Sequence, residues 1–189
     1  MKHSVFILPI ILLIMMTACS PQYDIAPSFT AERFDSIEAF RKDYPDTPLY
    51  VPVQVPEGAN FSHISVYPNS YAMITYDIPV DASRVAPIMY TTHLKLDPKL
   101  AIPNLVRSDP ELYRTVEYRD KTIYYAADRV ESSSLPGEYG ASYYILTETD
   151  GWMVTVSIPV DVLQNGRKMR FEIEDALEYI AAAPLEIPK

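Results

Sequence analysis

The sequence has one cysteine, at position 19, five glycines and three histidines among its 189 residues. A single cysteine excludes a disulfide framework within the chain, so the stability of a folded domain must come from its core. Few glycines argue against a glycine-rich phosphate-binding loop. Disulfide-stapled folds and phosphate-binding loops are therefore not expected here.

Positive charge is also scarce. The chain has 16 Lys and Arg residues against 25 Asp and Glu residues, so its formal net charge is −9. Nucleic-acid binding needs a basic footprint on the protein, and electrostatic docking on anionic lipid needs one as well. The charge balance therefore argues against nucleic acid as a partner. Attachment to a membrane would then require a covalently bound group.

The chain begins with a short apolar leader. Lys2 supplies a positive charge, and residues 5–16 form an uncharged apolar run. This pattern predicts a secretory signal peptide. A transmembrane helix needs about 20 apolar residues, so the run is too short to be one. Two small residues, Thr17 and Ala18, then precede the cysteine.

The stretch Met16-Thr17-Ala18-Cys19 resembles the lipobox of bacterial lipoproteins, whose usual pattern has Leu where this chain has Met16. The resemblance implies that the Cys19 sulfur receives a diacylglyceryl group and that cleavage makes Cys19 the first mature residue. Two acyl chains suffice for stable anchoring, since each buried methylene contributes about 0.8 kcal/mol. The alternative is an ordinary signal peptide with a chance cysteine near its cleavage site.

We therefore expect a signal peptide over residues 1–18, a lipidated tether over 19–29 and a single domain over 30–189. The predicted location is the extracytoplasmic face of the cell membrane. The outer membrane is the alternative in an organism with two membranes, because Ser20 replaces the Asp that resembles an inner-membrane retention signal.

Hydrophobic periodicity predicts a helix near each end of the domain. In the first helix, Asp35 and Glu38 have the spacing of a capping box, and Pro45 ends the pattern. In the last helix, Ile173, Leu177 and Ile180 share an apolar stripe, with acidic residues near the start as the helix dipole favours.

Between the two helices, alternating β-formers predict six or seven strands. Asp150-Gly151 suits a type I′ hairpin turn, whereas residues 97–110 contain three prolines and predict a loop or a short helical turn. Strands and helices do not alternate, which argues against a parallel sheet. The predicted fold is α+β, with a single curved antiparallel sheet and both helices packed on one face.

Two stretches of the domain, "YVPVQVPEGANF" and "ETDGWMVTVSIP" with the acidic helix after it, are similar to uncharacterised domains of Gram-positive lipoproteins and extracytoplasmic regulators. The resemblance implies a curved-sheet domain related to lipoprotein-carrier folds. It implies no catalytic residue.

Candidate chemistry is sparse. His63 and His93 lie in predicted strands without a ligand at metal-binding spacing, so we predict no metal and no cofactor. The serines at 132–134 lack a Gly-x-Ser-x-Gly elbow. The carboxylates of the last helix are typical of a solvated helix face. No catalytic residue is predicted.

The 15 tyrosines are the strongest compositional signal. Adjacent strand residues point to opposite faces, so Tyr124-Tyr125 and Tyr143-Tyr144 place one ring in the core and one outward. Outward tyrosines either form a recognition surface or merely reflect β-propensity. Seven of the 15 tyrosines lie between residues 113 and 144: Tyr113, Tyr118, Tyr124, Tyr125, Tyr139, Tyr143 and Tyr144.

These features predict a non-catalytic protein-interaction or regulatory module. Its partner is an unknown envelope protein, contacted through the open sheet face or an edge strand. The alternative is a carrier-like module that binds an apolar ligand between sheet and helices, in a cavity of a few hundred Å³ at roughly the scale of known ligand sites.

Overall fold

The computed structural model describes residues 30–119, 121–129, 142–181 and 185–186. The leader, Cys19, the tether, Tyr139 and the serines at 132–134 lie outside these residues. The helices are α1 (Ile37–Asp43), α2 (Pro98–Ser108) and α3 (Ile173–Ala181). The strands are β1 (Glu32–Phe34), β2 (Leu49–Tyr50), β3 (Asn60–Tyr67), β4 (Tyr71–Pro79), β5 (Val85–His93), β6 (Arg114–Tyr118), β7 (Lys121–Arg129), β8 (Ser142–Thr149), β9 (Trp152–Pro159), β10 (Asp161–Gln164), β11 (Arg167–Arg170) and β12 (Leu185–Glu186).

The main sheet is antiparallel and has eight strands in the order β1-β3-β4-β5-β9-β8-β7-β6. This confirms the predicted α+β class and the large antiparallel sheet. The predicted number of six or seven strands is wrong, because the three-residue strand β1 adds an edge next to β3. The two halves of the sheet meet where β5 pairs with β9, with His93 opposite Met153.

Two small sheets flank the main one, β2 with β12 and β10 with β11. The alternation of Leu49, Val51, Val53 and Val55 predicts a strand over 49–56. This prediction is wrong in length, since β2 has two residues and pairs outside the main sheet. Pro52 offers no backbone donor, which agrees with the early end of this strand. The β10–β11 hairpin lies between β9 and α3.

The predicted hairpin turn between β8 and β9 is confirmed. Asp150 has φ 50° and Gly151 has φ 82°, so both central residues occupy the left-handed region. A type I′ turn requires this conformation at both positions. The strands on either side are in register, with Thr149 opposite Trp152.

Helix α1 begins one residue later than the capping-box prediction required. Ser36, not Asp35, is the N-cap, and its hydroxyl accepts a hydrogen bond from the Ala39 backbone N–H at 3.0 Å. Either residue type caps helices well, so the local sequence did not decide between them. Phe40 is the buried residue of this helix.

Helix α2 lies where the three prolines predicted a loop or a short helical turn. Pro98 is in the first turn, where the missing N–H is harmless, and Asp97 caps the helix by accepting from the Lys99 N–H at 3.0 Å. Pro103 lies inside the helix and removes one hydrogen bond. Burial of Ile102 against the sheet offsets that loss.

The helices lie on both faces of the main sheet, because α2, which was not among the two predicted helices, packs on the face opposite α1 and α3. The first face shares one hydrophobic core with Phe40 of α1 and Leu177 of α3. The second face contacts α2, because Leu146 and Met153 project opposite to their neighbours Ile145 and Val154. Within the described residues, no helix is long and apolar enough to cross a membrane.

Candidate functional site

The first face of the main sheet is filled by side chains. Tyr50 and Tyr90 stack with their ring centroids 5.7 Å apart, and both residues have 0 % accessible surface, as do Phe40 and Leu177. A residue without accessible surface has no water-sized space beside it. The centre of this core therefore has no room for a ligand, and the carrier alternative stays a prediction.

The two stacked tyrosines differ in their hydroxyl groups. The Tyr50 hydroxyl donates to the Ile180 carbonyl of α3, and the Tyr50 backbone N–H donates to Thr92 Oγ1 at 2.9 Å. The Tyr90 hydroxyl is buried and has no hydrogen-bond partner among the described residues. Burial raises the pKa of both phenols, so both stay protonated at neutral pH.

The tyrosine pairs alternate between the faces as predicted. Tyr125 and Tyr143 contribute to the core of the first face, whereas Tyr124 and Tyr144 lie on the second face. There, however, they pack beside the cluster that Ile102 of α2 forms with the sheet. These second-face rings are thus explained by packing under a helix.

The other half of the second face lies on β3, β4 and β5, away from the strands β8 and β9 that α2 contacts. Its residues Met73 and Thr91 are directly opposite each other, as are Thr75 and Met89. We call these four residues, together with His93, the open half. All but Thr75 are half-buried, so the open half presents thioether, hydroxyl and imidazole groups to its surroundings.

Thr75 forms the floor of the open half. The residue is 4 % exposed, and its hydroxyl has no hydrogen-bond partner among the described residues. Leaving a buried hydroxyl unpaired costs about 1–3 kcal/mol. The open half therefore contains a polar group that forms no hydrogen bond with the part of the chain that the structure describes.

Both histidines of the domain lie on the second face. His93 Nε2 is 3.2 Å from Thr155 Oγ1, and burial lowers the pKa of His93. Burial and the nearby Arg33 charge lower the pKa of His63. Both imidazoles are therefore neutral at pH 7 and offer one donor and one acceptor each. In the described parts of the chain, no three His, Cys, Asp or Glu residues form a group that would hold a metal ion.

One end of the main sheet is rich in aromatic residues. Tyr67 and Tyr71 flank the turn between β3 and β4, and Trp152 begins β9 after the turn from β8. Tyr44 and Tyr118 lie at the same end, and all five residues are partly exposed. We call these five residues the aromatic end.

The aromatic end has rings on both faces of the sheet. On the first face, Tyr44, Trp152 and Lys95 line an open cleft of about 370 Å³. On the second face, the rings of Tyr67 and Tyr71 are 4.4 Å apart. Burial and the neighbouring Tyr67 hydroxyl raise the pKa of Tyr71 to about 12. Together these side chains give this end an amphipathic surface.

Sequence reasoning missed this cluster because it followed the tyrosines of the second half of the chain. The spacing of two tyrosines in the sequence is the signal that identifies this cluster. Tyr67 and Tyr71 flank Pro68-Asn69-Ser70, so a hairpin between them brings the rings together. Trp152 joins them only because β9 pairs with β5, a long-range contact that the sequence pattern does not reveal.

The carboxylates that begin α3 form no acid–base pair across a cleft. Glu172 and Glu174 are both exposed at the start of the helix. Asp175 Oδ2 accepts a hydrogen bond from the Glu172 backbone N–H at 3.1 Å. This arrangement satisfies a free N–H at the helix terminus. It supports the prediction that these carboxylates belong to the helix surface.

Comparison with known proteins found no protein-family model, no curated protein and no solved structure that matches this chain.

Proposed function

We propose that this chain is an exported lipoprotein, held at the extracytoplasmic face of the cell membrane by a diacylglyceryl group on Cys19. In an organism with two membranes the anchor would place it in the outer membrane. We further propose that its domain is a non-catalytic protein-interaction or regulatory module. The leader and its lipobox support the anchor, and the open half is the observation that carries the interaction.

The chemistry of the open half suits a protein partner. Met73 and Met89 are unbranched and polarizable, so they adapt to different apolar side chains. The side chains of Thr75, Thr91 and His93 are the hydrogen-bonding groups of the open half. The occupant we propose is a segment of an envelope protein with apolar and carbonyl groups.

The anchor is tested by replacing Cys19 with alanine. The sulfur is the only thiol in the chain, so Cys19→Ala is expected to abolish labelling with radioactive palmitate and to release the protein from the membrane fraction. Ser20→Ala serves as the matched control, because it changes a neighbour and leaves the thiol. Undiminished labelling of Cys19→Ala would rule out lipidation at this residue.

The interaction is tested by site-specific photocrosslinking in cells. A photoreactive amino acid at Met89 is expected to give one discrete protein adduct, since Met89 lies in the open half. The same amino acid at Lys42, an exposed residue of α1, is the control and should not give that adduct. A second change, Met73→Lys, places a charge beside the contact and should remove the adduct without unfolding the domain, as checked by circular dichroism.

Identical adducts from positions 89 and 42 would show that capture is unspecific. Absence of an adduct at 89, with the protein folded and anchored, would contradict the open half as the contact. An adduct that persists in folded Met73→Lys would do so as well.

A further inference from the structure

We propose that the aromatic end docks on the lipid headgroup region of the membrane that holds the Cys19 anchor. This inference rests on the proposed anchoring. It adds an orientation, in which one end of the main sheet faces the bilayer and the other end faces away from it.

The entry of the chain into the sheet carries the first part of the argument. Glu32 pairs with Val66 and Phe34 with Ile64, so β1 runs away from the turn that follows Tyr67. The chain that comes from Cys19 therefore enters the domain at the aromatic end. The anchor and the aromatic rings are attached to the same end of the fold.

The second observation is the length of chain between Cys19 and the start of the domain. Twelve peptide units separate Cys19 from Ala31, and fully extended they span about 40 Å. The nine residues of β4 extend over about 30 Å from one end of the sheet to the other. The end marked by Pro79 and Val85 thus lies a full strand length further from the point of entry.

The side chains at this end suit an interface between water and lipid. Trp and Tyr are enriched at the headgroup level of membrane proteins, because their rings are apolar and their N–H or O–H groups are polar. Here Tyr67, Tyr71 and Trp152 are partly exposed, and Leu96 beside them is 44 % exposed. An apolar residue at the exit of β5 extends the amphipathic surface.

Charges of both signs lie at the same end, including Lys121, Glu148 and Asp150 around the turn between β8 and β9. Lys95 lines the cleft with Asp46, and the Arg119 guanidinium lies over the Tyr118 ring at 5.2 Å. The two signs are mixed, although the chain as a whole is acidic. The contact is therefore aromatic rather than electrostatic, and it should form on zwitterionic lipid. A tether of this length raises the effective concentration of the membrane, so a weak contact suffices.

Trp152 is the only tryptophan of the chain, so tryptophan fluorescence reports on this one position. The lipidated full-length mature protein is reconstituted into phosphatidylcholine vesicles that carry a nitroxide label close to the headgroup. We expect Trp152 emission to be strongly quenched by the labelled lipid. The matched control is the double variant Trp152→Phe/Val85→Trp, which moves the reporter to the exposed residue Val85 at the opposite end and should retain its emission.

A second variant tests the residues rather than the geometry. The double change Tyr67→Ser/Tyr71→Ser removes two rings of the aromatic end and should reduce quenching of Trp152. Vesicle flotation measures anchoring separately, and urea unfolding shows that each variant is folded.

Loss of flotation would refute the anchor itself. Flotation without quenching of Trp152, or equal quenching of the two reporters, would overturn the proposed orientation while leaving the anchor intact. Quenching that is unchanged in the folded tyrosine variant would also overturn the role of the rings. Protection of Trp152 from quenching by an added envelope protein would assign this end to a protein contact instead.

Discussion

The Phe40→Ala change is expected to lower the free energy of unfolding by about 3–5 kcal/mol, the usual cost of removing a buried aromatic side chain. Phe40 has no accessible surface. Its ring stacks on Tyr44 and meets Phe34 edge-to-face, each at 5.8 Å between centroids. Whole domains have stabilities of about 5–15 kcal/mol, so this single change removes a large share.

The measurement is urea unfolding at equilibrium, and Lys42→Ala is its control. Lys42 is exposed on the same short helix, so its truncation should change the unfolding free energy by less than about 0.5 kcal/mol. Equal losses in the two variants would mean that the loss at Phe40 does not come from the aromatic cluster. A loss below 1 kcal/mol for Phe40→Ala would contradict the packing described here.

The second large effect is a pair of changes with opposite signs. Tyr50→Phe removes the hydrogen bond to the Ile180 carbonyl and is expected to destabilise the domain by about 1–3 kcal/mol. Tyr90→Phe removes a buried hydroxyl that has no partner among the described residues, and is expected to stabilise the domain by a similar amount. Both changes keep the stacked rings, so packing is held constant.

Thermal and urea unfolding of the two variants, measured side by side, test this pair. The comparison is internally controlled, because the same atom is deleted from each of two rings that touch. Destabilisation by Tyr90→Phe would show that its hydroxyl is hydrogen-bonded after all, through water or residues outside the described ranges. A neutral Tyr50→Phe would mean that the bond to α3 contributes little.

The strands and the terminal helices could be predicted from periodicity because their burial is one-sided. Ile74 and Ile78 alternate with less buried neighbours, and Leu177 and Ile180 are spaced for one helix face. Helix α2 could not be predicted, because Pro103 normally argues against a helix interior. Its stability depends on the contact of Ile102 with Leu146 and Met153, which lie more than forty residues further along the chain.

Short strands were missed or predicted with the wrong length for a different reason. Strands β1 and β2 have three and two residues, too few to show any period. Their positions depend on partners, namely Val66 for Glu32 and the Thr92 hydroxyl for the Tyr50 N–H. The open half and the aromatic end are likewise products of strand pairing. The sequence supplied their residue types, and only the sheet order brought them together.

The junction between β5 and β9 has a consequence for biogenesis. The residues that it joins, His93 and Met153, are about 60 positions apart. A chain that emerges N-terminus first can form the β3–β4–β5 hairpins early, yet β5 then presents a bare edge until β9 arrives. Unpaired edges recruit other strands and favour aggregation. The time needed to deliver those 60 residues therefore sets how long each new molecule is exposed to mispairing.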